Sequence, residues 1–242
     1  MFEFLKKIMN NNDSTLKNGE NFVHRILKTD IKKNPGLQED EIIFGCGCFW
    51  GAEKCFWKLP GVVTTSVGYA GGEKNNPTYY EVCSGLTGHS EVVRVIWDKT
   101  EIDISDLLKM FWECHDPTQK NRQGNDIGTQ YRSAIYYTNK NNHKTILASK
   151  EQYQKELNKK NLGLIETEIK MIDSYFYAEQ YHQQYLASAG SRQYCSASPT
   201  KVKLGVFTGS NYKLEDHIWE NFNWEVDKCV LRSDNNPIKN NI

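Results

Sequence analysis

The sequence predicts an α/β fold: a two-layer sandwich in which helices pack on a mixed β-sheet, with long loops and an extended C-terminal tail. Three observations carry this expectation. Short apolar or β-branched runs alternate with segments whose apolar residues recur at helical spacing. One connection is too short for the crossover that parallel neighbours require, so the sheet is not all parallel. Neither a Gly-x-Gly-x-x-Gly nor a P-loop pattern occurs, which argues against a doubly wound nucleotide fold.

The elements follow in order. Ile42, Ile43 and Phe44 read as a buried strand stopped at Gly45 and Gly47. Phe49, Ala52, Phe56 and Leu59 then keep helical spacing over Cys48 to Leu59, and Pro60-Gly61 ends the helix. Val62 to Tyr69 is β-branched and reads as a second strand, followed by a glycine-rich loop. His89 to Trp97 alternates as a strand. Asp103 or Ser105 can cap a helix with Ile104, Leu107, Leu108 and Phe111 on its apolar face. His115 to Thr129 reads as a long polar loop, and long loops in compact domains tend to be functional. Arg132 to Tyr137 is a strand, Lys140 to Lys160 a polar helix, and Glu166 to Ile172 a further strand.

Three regions are expected. Residues 1–40 are Asn- and Lys-rich and read as a loosely ordered extension with one short helix around Phe22 to Leu27. Residues 41–195 are expected to form the main folded domain. Residues 196–242 are a C-terminal extension, entered through a small-residue connector read as mobile, with a weak amphipathic stretch at Leu214, Ile218, Trp219 and Phe222.

Composition excludes several function classes. The 30 basic residues balance 30 acidic ones, so no basic field draws the 242-residue chain to nucleic acid. No apolar run approaches the roughly 18 residues of a membrane span. Lys6, Lys7 and the Asn10 to Asp13 run interrupt any secretory signal, so a reducing, cytoplasmic location is expected. Seven cysteines cannot all pair within the chain, which is not the pattern of a secreted disulfide scaffold.

The segment Gly45 to Gly51 carries most of the chemistry. It places Cys48 where a strand turns into a helix, and helix N-termini favour an anion such as a thiolate. The alternative is an inert, buried cysteine. Cys46 could be half of a metal site, with Cys114-His115 as the other half, but one distant pair is a weak signal and no metal is expected. Cys55, two helical turns after Cys48, reads as packing, as do Cys83 and Cys114. Glu91 shares a strand face with Val93, Val95 and Trp97, where desolvation raises a carboxyl pKa and makes it a proton donor. The alternative is an ordinary Glu paired with Arg94 or Arg132. Tyr69, Tyr79, Tyr80 and Tyr131 cluster around the candidate site in sequence and offer phenol hydroxyls. Phe49 fits a buried helical face and Trp50 does not, so Trp50 is expected to be exposed.

These residues together resemble one family. Gly47-Cys-Phe-Trp-Gly-Ala-Glu53 is similar to the signature of the A-type peptide methionine sulfoxide reductases. The resemblance continues through Gly68-Tyr-Ala-Gly-Gly72, Asn76-Pro-Thr-Tyr-Tyr-Glu-Val-Cys-Ser-Gly85, Thr87-Gly-His-Ser-Glu91, Phe111-Trp-Glu-Cys-His-Asp-Pro117, Arg122 to Ser133 and Tyr177 to Leu186, covering about 41–195. It implies reduction of methionine-S-sulfoxide, free or in proteins, with Cys48 as nucleophile and Glu91 as proton donor. Phe49 and Trp50 hold the methyl group, Tyr79 and Tyr131 surround the oxygen, and Asp126 orders the site. No bound cofactor is implied; an external dithiol, thioredoxin, is the reductant and partner. Cys195 stands at the family's first resolving position, although Ser196 to Pro199 replaces the usual glycines. Cys229 is a candidate relay and Cys46 an alternative resolver. Ile127 stands where the family often has His.

Overall fold

The structure, a computed structural model, describes residues 22–226 and 228–240. Its centre is a six-stranded sheet in the order β7-β6-β1-β3-β2-β8. The strands are β1 (Glu39–Cys46), β2 (Val62–Ala70), β3 (Ser90–Asp98), β6 (Ser133–Tyr137), β7 (Glu168–Met171) and β8 (Tyr175–Tyr177). All neighbours are antiparallel except β6 and β7, which run parallel across the long helix that joins them. The expected mixed α/β sheet is therefore present.

Helices α1 (Phe49–Trp57), α2 (Tyr79–Cys83), α3 (Ile104–Cys114) and α4 (Asn142–Lys159) complete the main body. Alternation decides which side of β1 they cover. Ile42, Phe44 and Cys46 face the main core with α1 and α3, while Ile43 joins a small cluster on the opposite face with Val92 and Tyr136. Phe44 is fully buried and stacks on Phe56 of α1 at 4.8 Å and Phe111 of α3 at 5.1 Å. Burying a Phe contributes about 1.5–3 kcal/mol, and this one clamps the strand before Cys48 to two helices. Asp103, not Ser105, caps α3, accepting from the Ser105 amide at 2.9 Å within a capping box with Asp106.

Some expectations needed correction. The predicted loop from His115 to Thr129 contains a tiny hairpin, β4 (Arg122–Gln123) and β5 (Asp126–Ile127). The helix expected near Phe22 to Leu27 is instead a turn closed by an isolated Val23–Asp30 bridge. Its cause is His24, which is fully buried. The His24 Nδ1 accepts the Ile26 and Leu27 amides at 3.1 and 3.0 Å, and Lys28 takes a left-handed φ of 61°. A side chain has taken the amides a helix would need. Residues 1–21, the rest of the expected extension, lie outside the described residues.

The connector after Ser188 takes no regular secondary structure from Ser191 onward, with Cys195 and Ser196 buried and most of its other residues partly or fully exposed. Beyond it Val202, Leu204, Phe207, Ile218, Phe222 and Val230 are buried in the main core. The amphipathic stretch yields a single turn, α5 (Asp216–Trp219), and Cys229 opens another, α6 (Cys229–Arg232). The glycine-poor replacement of the family's tail is thus a strap fastened by apolar residues. Among the described residues, no helix is long and apolar enough to cross a membrane.

Candidate active site

The strand-to-helix turn is built as the sequence demands. β1 ends at Cys46, and Gly47 follows with φ 85°. A Cβ on Gly47 would stand 2.5 Å from Gln123 Cβ, so both backbone and space require glycine. Cys48 is the N-cap of α1 and is half-buried. The first free amides of the helix divide their work: Trp50 N–H points at the Cys48 sulfur, and Phe49 N–H donates to Glu91 Oε2 at 3.1 Å.

One cleft of about 250 Å³ is lined by Cys48, Phe49, Trp50, Tyr79, Glu91, Asp126, Tyr131 and Tyr194. Seven residues proposed from sequence therefore lie together, drawn from α1, α2, β3, β5 and the turn Thr129–Tyr131. Of the other two, Cys195 is buried and lines a separate cavity with Cys229, beside Gly51 of α1. Tyr69 is fully buried and gives its hydroxyl to Glu179 Oε2 at 2.8 Å, outside the cleft. Glu179 Oε1 in turn accepts the Tyr79 amide at 2.9 Å, which fixes the start of α2.

Glu91 is 2% exposed, and neither alternative partner reaches it. Arg94 pairs with Glu41 at 2.6 Å, and Arg132 with Glu168 at 2.7 Å. Burial, opposed by the Phe49 amide and reinforced by the Asp126 charge, pushes the Glu91 pKa up to about 8. The carboxyl therefore carries a proton at neutral pH. Tyr79 and Tyr131 are pushed up by burial first and by Glu91 next, so both remain phenols able to donate. Asp126 accepts the Tyr194 hydroxyl at 2.6 Å through Oδ1.

The thiol itself corrects the helix-terminus argument. Burial and then the Glu91 carboxylate push the Cys48 pKa well above that of a free cysteine, outweighing the Trp50 amide. The resting group is a thiol. It must lose its proton before it can attack, and Glu91 lines the same cleft.

Trp50 is also corrected: it is 6% exposed, not open to solvent. Its ring stacks on Tyr185 at 3.8 Å and its indole N–H donates to His182 Nδ1 at 3.0 Å. Burial drives the His182 pKa down to about 3, so the ring is neutral and can accept. Sequence reasoning passed over His182, Tyr185, Glu179 and Tyr194. The only signal was their place in or beside the Tyr177 to Leu186 motif, because local periodicity says nothing about where this segment folds back. Among the described residues, the one group of three close potential metal ligands, Cys46, Cys114 and His115, lies outside the cleft.

Comparison with known proteins gives a consistent picture. A family model described as peptide methionine sulfoxide reductase matches residues 40–212. The chain is 53% identical over 180 residues to the peptide methionine sulfoxide reductase MsrA of Vibrio vulnificus, covering 74% of this chain and 86% of that protein. It is 56% identical over 160 residues to the mitochondrial peptide methionine sulfoxide reductase of Mus musculus, covering 66% and 68%. Among solved structures, methionine sulfoxide reductase A of Corynebacterium diphtheriae superposes with a TM-score of 0.64 at 41% identity, covering 81% of this chain and 97% of that one.

Proposed function

The chain belongs to the A-type peptide methionine sulfoxide reductases, thiol-dependent oxidoreductases, and from that premise we propose how its own residues carry out the reduction. The substrate is methionine-S-sulfoxide, free or in a protein, and Cys48 is the nucleophile. One proton leaves the pair first, so that Cys48 is a thiolate while Glu91 keeps its proton. The sulfur then attacks the sulfoxide sulfur, and Glu91 hands its proton to the sulfoxide oxygen with Tyr79 and Tyr131 as supporting donors; the carboxyl is reprotonated afterwards. The sulfur–oxygen bond of the substrate breaks, methionine leaves, and Cys48 becomes a sulfenic acid. No net proton is consumed: a thiol and a sulfoxide become a sulfenic acid and a thioether.

Phe49 and the face of Trp50 take the substrate methyl, a contact worth about 1 kcal/mol by area. The link through Tyr194 to Asp126 closes the far side of the cleft. Cys195 then attacks the sulfenic sulfur, forming a disulfide and releasing water. For that step Cys195 must leave its seat beside Gly51. Thioredoxin, available in a reducing, cytoplasmic compartment, restores the dithiol by exchange. Cys229 lines the same cavity as Cys195, which supports its place as a relay that passes the disulfide toward the surface. Both electrons come from thiols, so the reading uses no bound cofactor.

The observation that carries this reading is the buried, proton-bearing Glu91 facing Cys48 across one small cleft. Single-turnover reduction of each methionine sulfoxide epimer tests it. The S form should be consumed at one equivalent per enzyme without external reductant and the R form left untouched; consumption of the R form instead would contradict it.

A further inference from the structure

A second cavity, of about 380 Å³, shares no lining residue with the catalytic cleft, and five of the seven cysteines line it. Two of them, Cys195 and Cys229, are already assigned to thiol exchange. The other three, Cys46, Cys55 and Cys114, have no part in the mechanism. They are 3%, 3% and 2% exposed and come from the end of β1, from α1 and from the end of α3. The sulfurs of Cys46 and Cys114 and a ring nitrogen of His115 lie within 4.8 Å of one another. The Cys55 thiol is in hydrogen-bonding contact with that of Cys114.

We infer that Cys46, Cys55, Cys114 and His115 form a binding site for a thiophilic divalent ion of the zinc type, separate from the catalytic thiol. Cys46, Cys114 and His115 already lie within reach of one ion, and Cys55, in contact with Cys114 but outside that close group, completes a tetrahedral set of three sulfurs and one imidazole by a side-chain shift. His115 is prepared for this role. Its Nδ1 lies 2.7 Å from the Phe111 carbonyl and its Nε2 2.8 Å from Ser133 Oγ. An Nδ1–H donating to a backbone carbonyl is the arrangement that fixes the tautomer of a metal-bound histidine and leaves Nε2 free to ligate. Ser133 can release Nε2, because its hydroxyl has a second partner in Thr167 Oγ1 at 2.7 Å. The ion would bind three elements that together hold the turn carrying Cys48, so it would stiffen the site from behind. Binding requires three thiols to lose their protons, so it strengthens as pH rises.

The competing reading is three buried thiols packed as small apolar groups. Titration of the reduced, chelator-treated full chain with cobalt(II), then zinc(II), separates the two. One cobalt per chain is expected, with the visible absorption of tetrahedral thiolate coordination, displaced by zinc, and a thermal midpoint that climbs with zinc concentration. A Cys48→Ser/Cys195→Ser/Cys229→Ser variant, which retains all four proposed ligands, should keep the cobalt spectrum. Cys114→Ala and Cys46→Ala should lose it while keeping a native circular dichroism spectrum. Absence of cobalt binding in the wild-type chain overturns the inference. So does loss of the spectrum in the triple variant, which would place the ion on the catalytic thiols.

Discussion

Glu91 Oε2 accepts the Phe49 amide at 3.1 Å, so a carboxyl buried on β3 is tied to the first turn of the helix that presents Cys48. The bond sets the distance between acid and nucleophile through backbone, not through a flexible side chain. It also leaves the other carboxyl oxygen to carry the proton.

The pairing of Cys48 and Glu91 has a pH signature. Productive attack needs one proton between the two groups, on Glu91 rather than on sulfur. Below a pH of about 8 both hold a proton, and the productive form grows about tenfold per pH unit as one is lost. Above it, each gain in thiolate is offset by loss of the acid. We expect kcat/KM to rise and level near pH 8 in the wild type. In Glu91→Gln the rate should be lower, by about 10²–10⁴-fold, and should keep rising past pH 8. A levelling near 8 that persists in the variant would show that another group causes it.

The same carboxyl is costly to the fold. Its folded pKa of about 8 lies above its ordinary value of 4.5, so the folded state binds the proton more tightly than the unfolded one. Stability linked to this group is full below pH 4.5 and is lost as pH rises to about 8. Glu91→Gln should therefore be more stable than wild type at pH 9, by on the order of a few kcal/mol, with a smaller gain at pH 5, as denaturant unfolding reads it. An equal gain at both pH values would contradict the raised pKa.

Much of this was legible in the sequence, and the limits have physical causes. β1, α1, β3 and α3 combine strong periodicity with clear stops, and they stand where they were expected. The five-residue α2 was announced only by the Thr78–Glu81 capping box, too short a signal for a pattern read over long windows. Trp50 breaks the helical stripe of α1 because its cover is not the sheet but Tyr185, about 130 residues away in sequence. The helix-terminus argument for Cys48 correctly located the thiol and misjudged its charge. A first-turn amide is a local effect, whereas burial and a facing carboxylate are products of the fold.

Trp50 tests the apolar side of the cleft. Trp50→Leu removes the stacked ring and its bond to His182, and should lower kcat/KM by roughly tenfold or more, on the basis of about 1–2 kcal/mol of lost contact. A merely structural role would lower the thermal midpoint and leave steady-state constants of the folded fraction unchanged.

Gly51 tests the seat of Cys195. A Cβ there would stand 2.5 Å from Cys195 Sγ, so Gly51→Ala should cost about 1–3 kcal/mol. The cost should shrink in a Cys195→Ala background, where the sulfur is gone. Additive losses in the denaturant unfolding of the double variant would mean the two residues do not touch.

Turnover requires Cys48 to take the oxygen and Cys195 to answer it. The direct measurement is mass spectrometry of peptides from enzyme treated with one equivalent of methionine sulfoxide and no external reductant. The wild type should yield a Cys48–Cys195 disulfide, and Cys195→Ser a sulfenic acid trapped on Cys48. A sulfenic acid or first disulfide on any cysteine other than Cys48 would contradict the account.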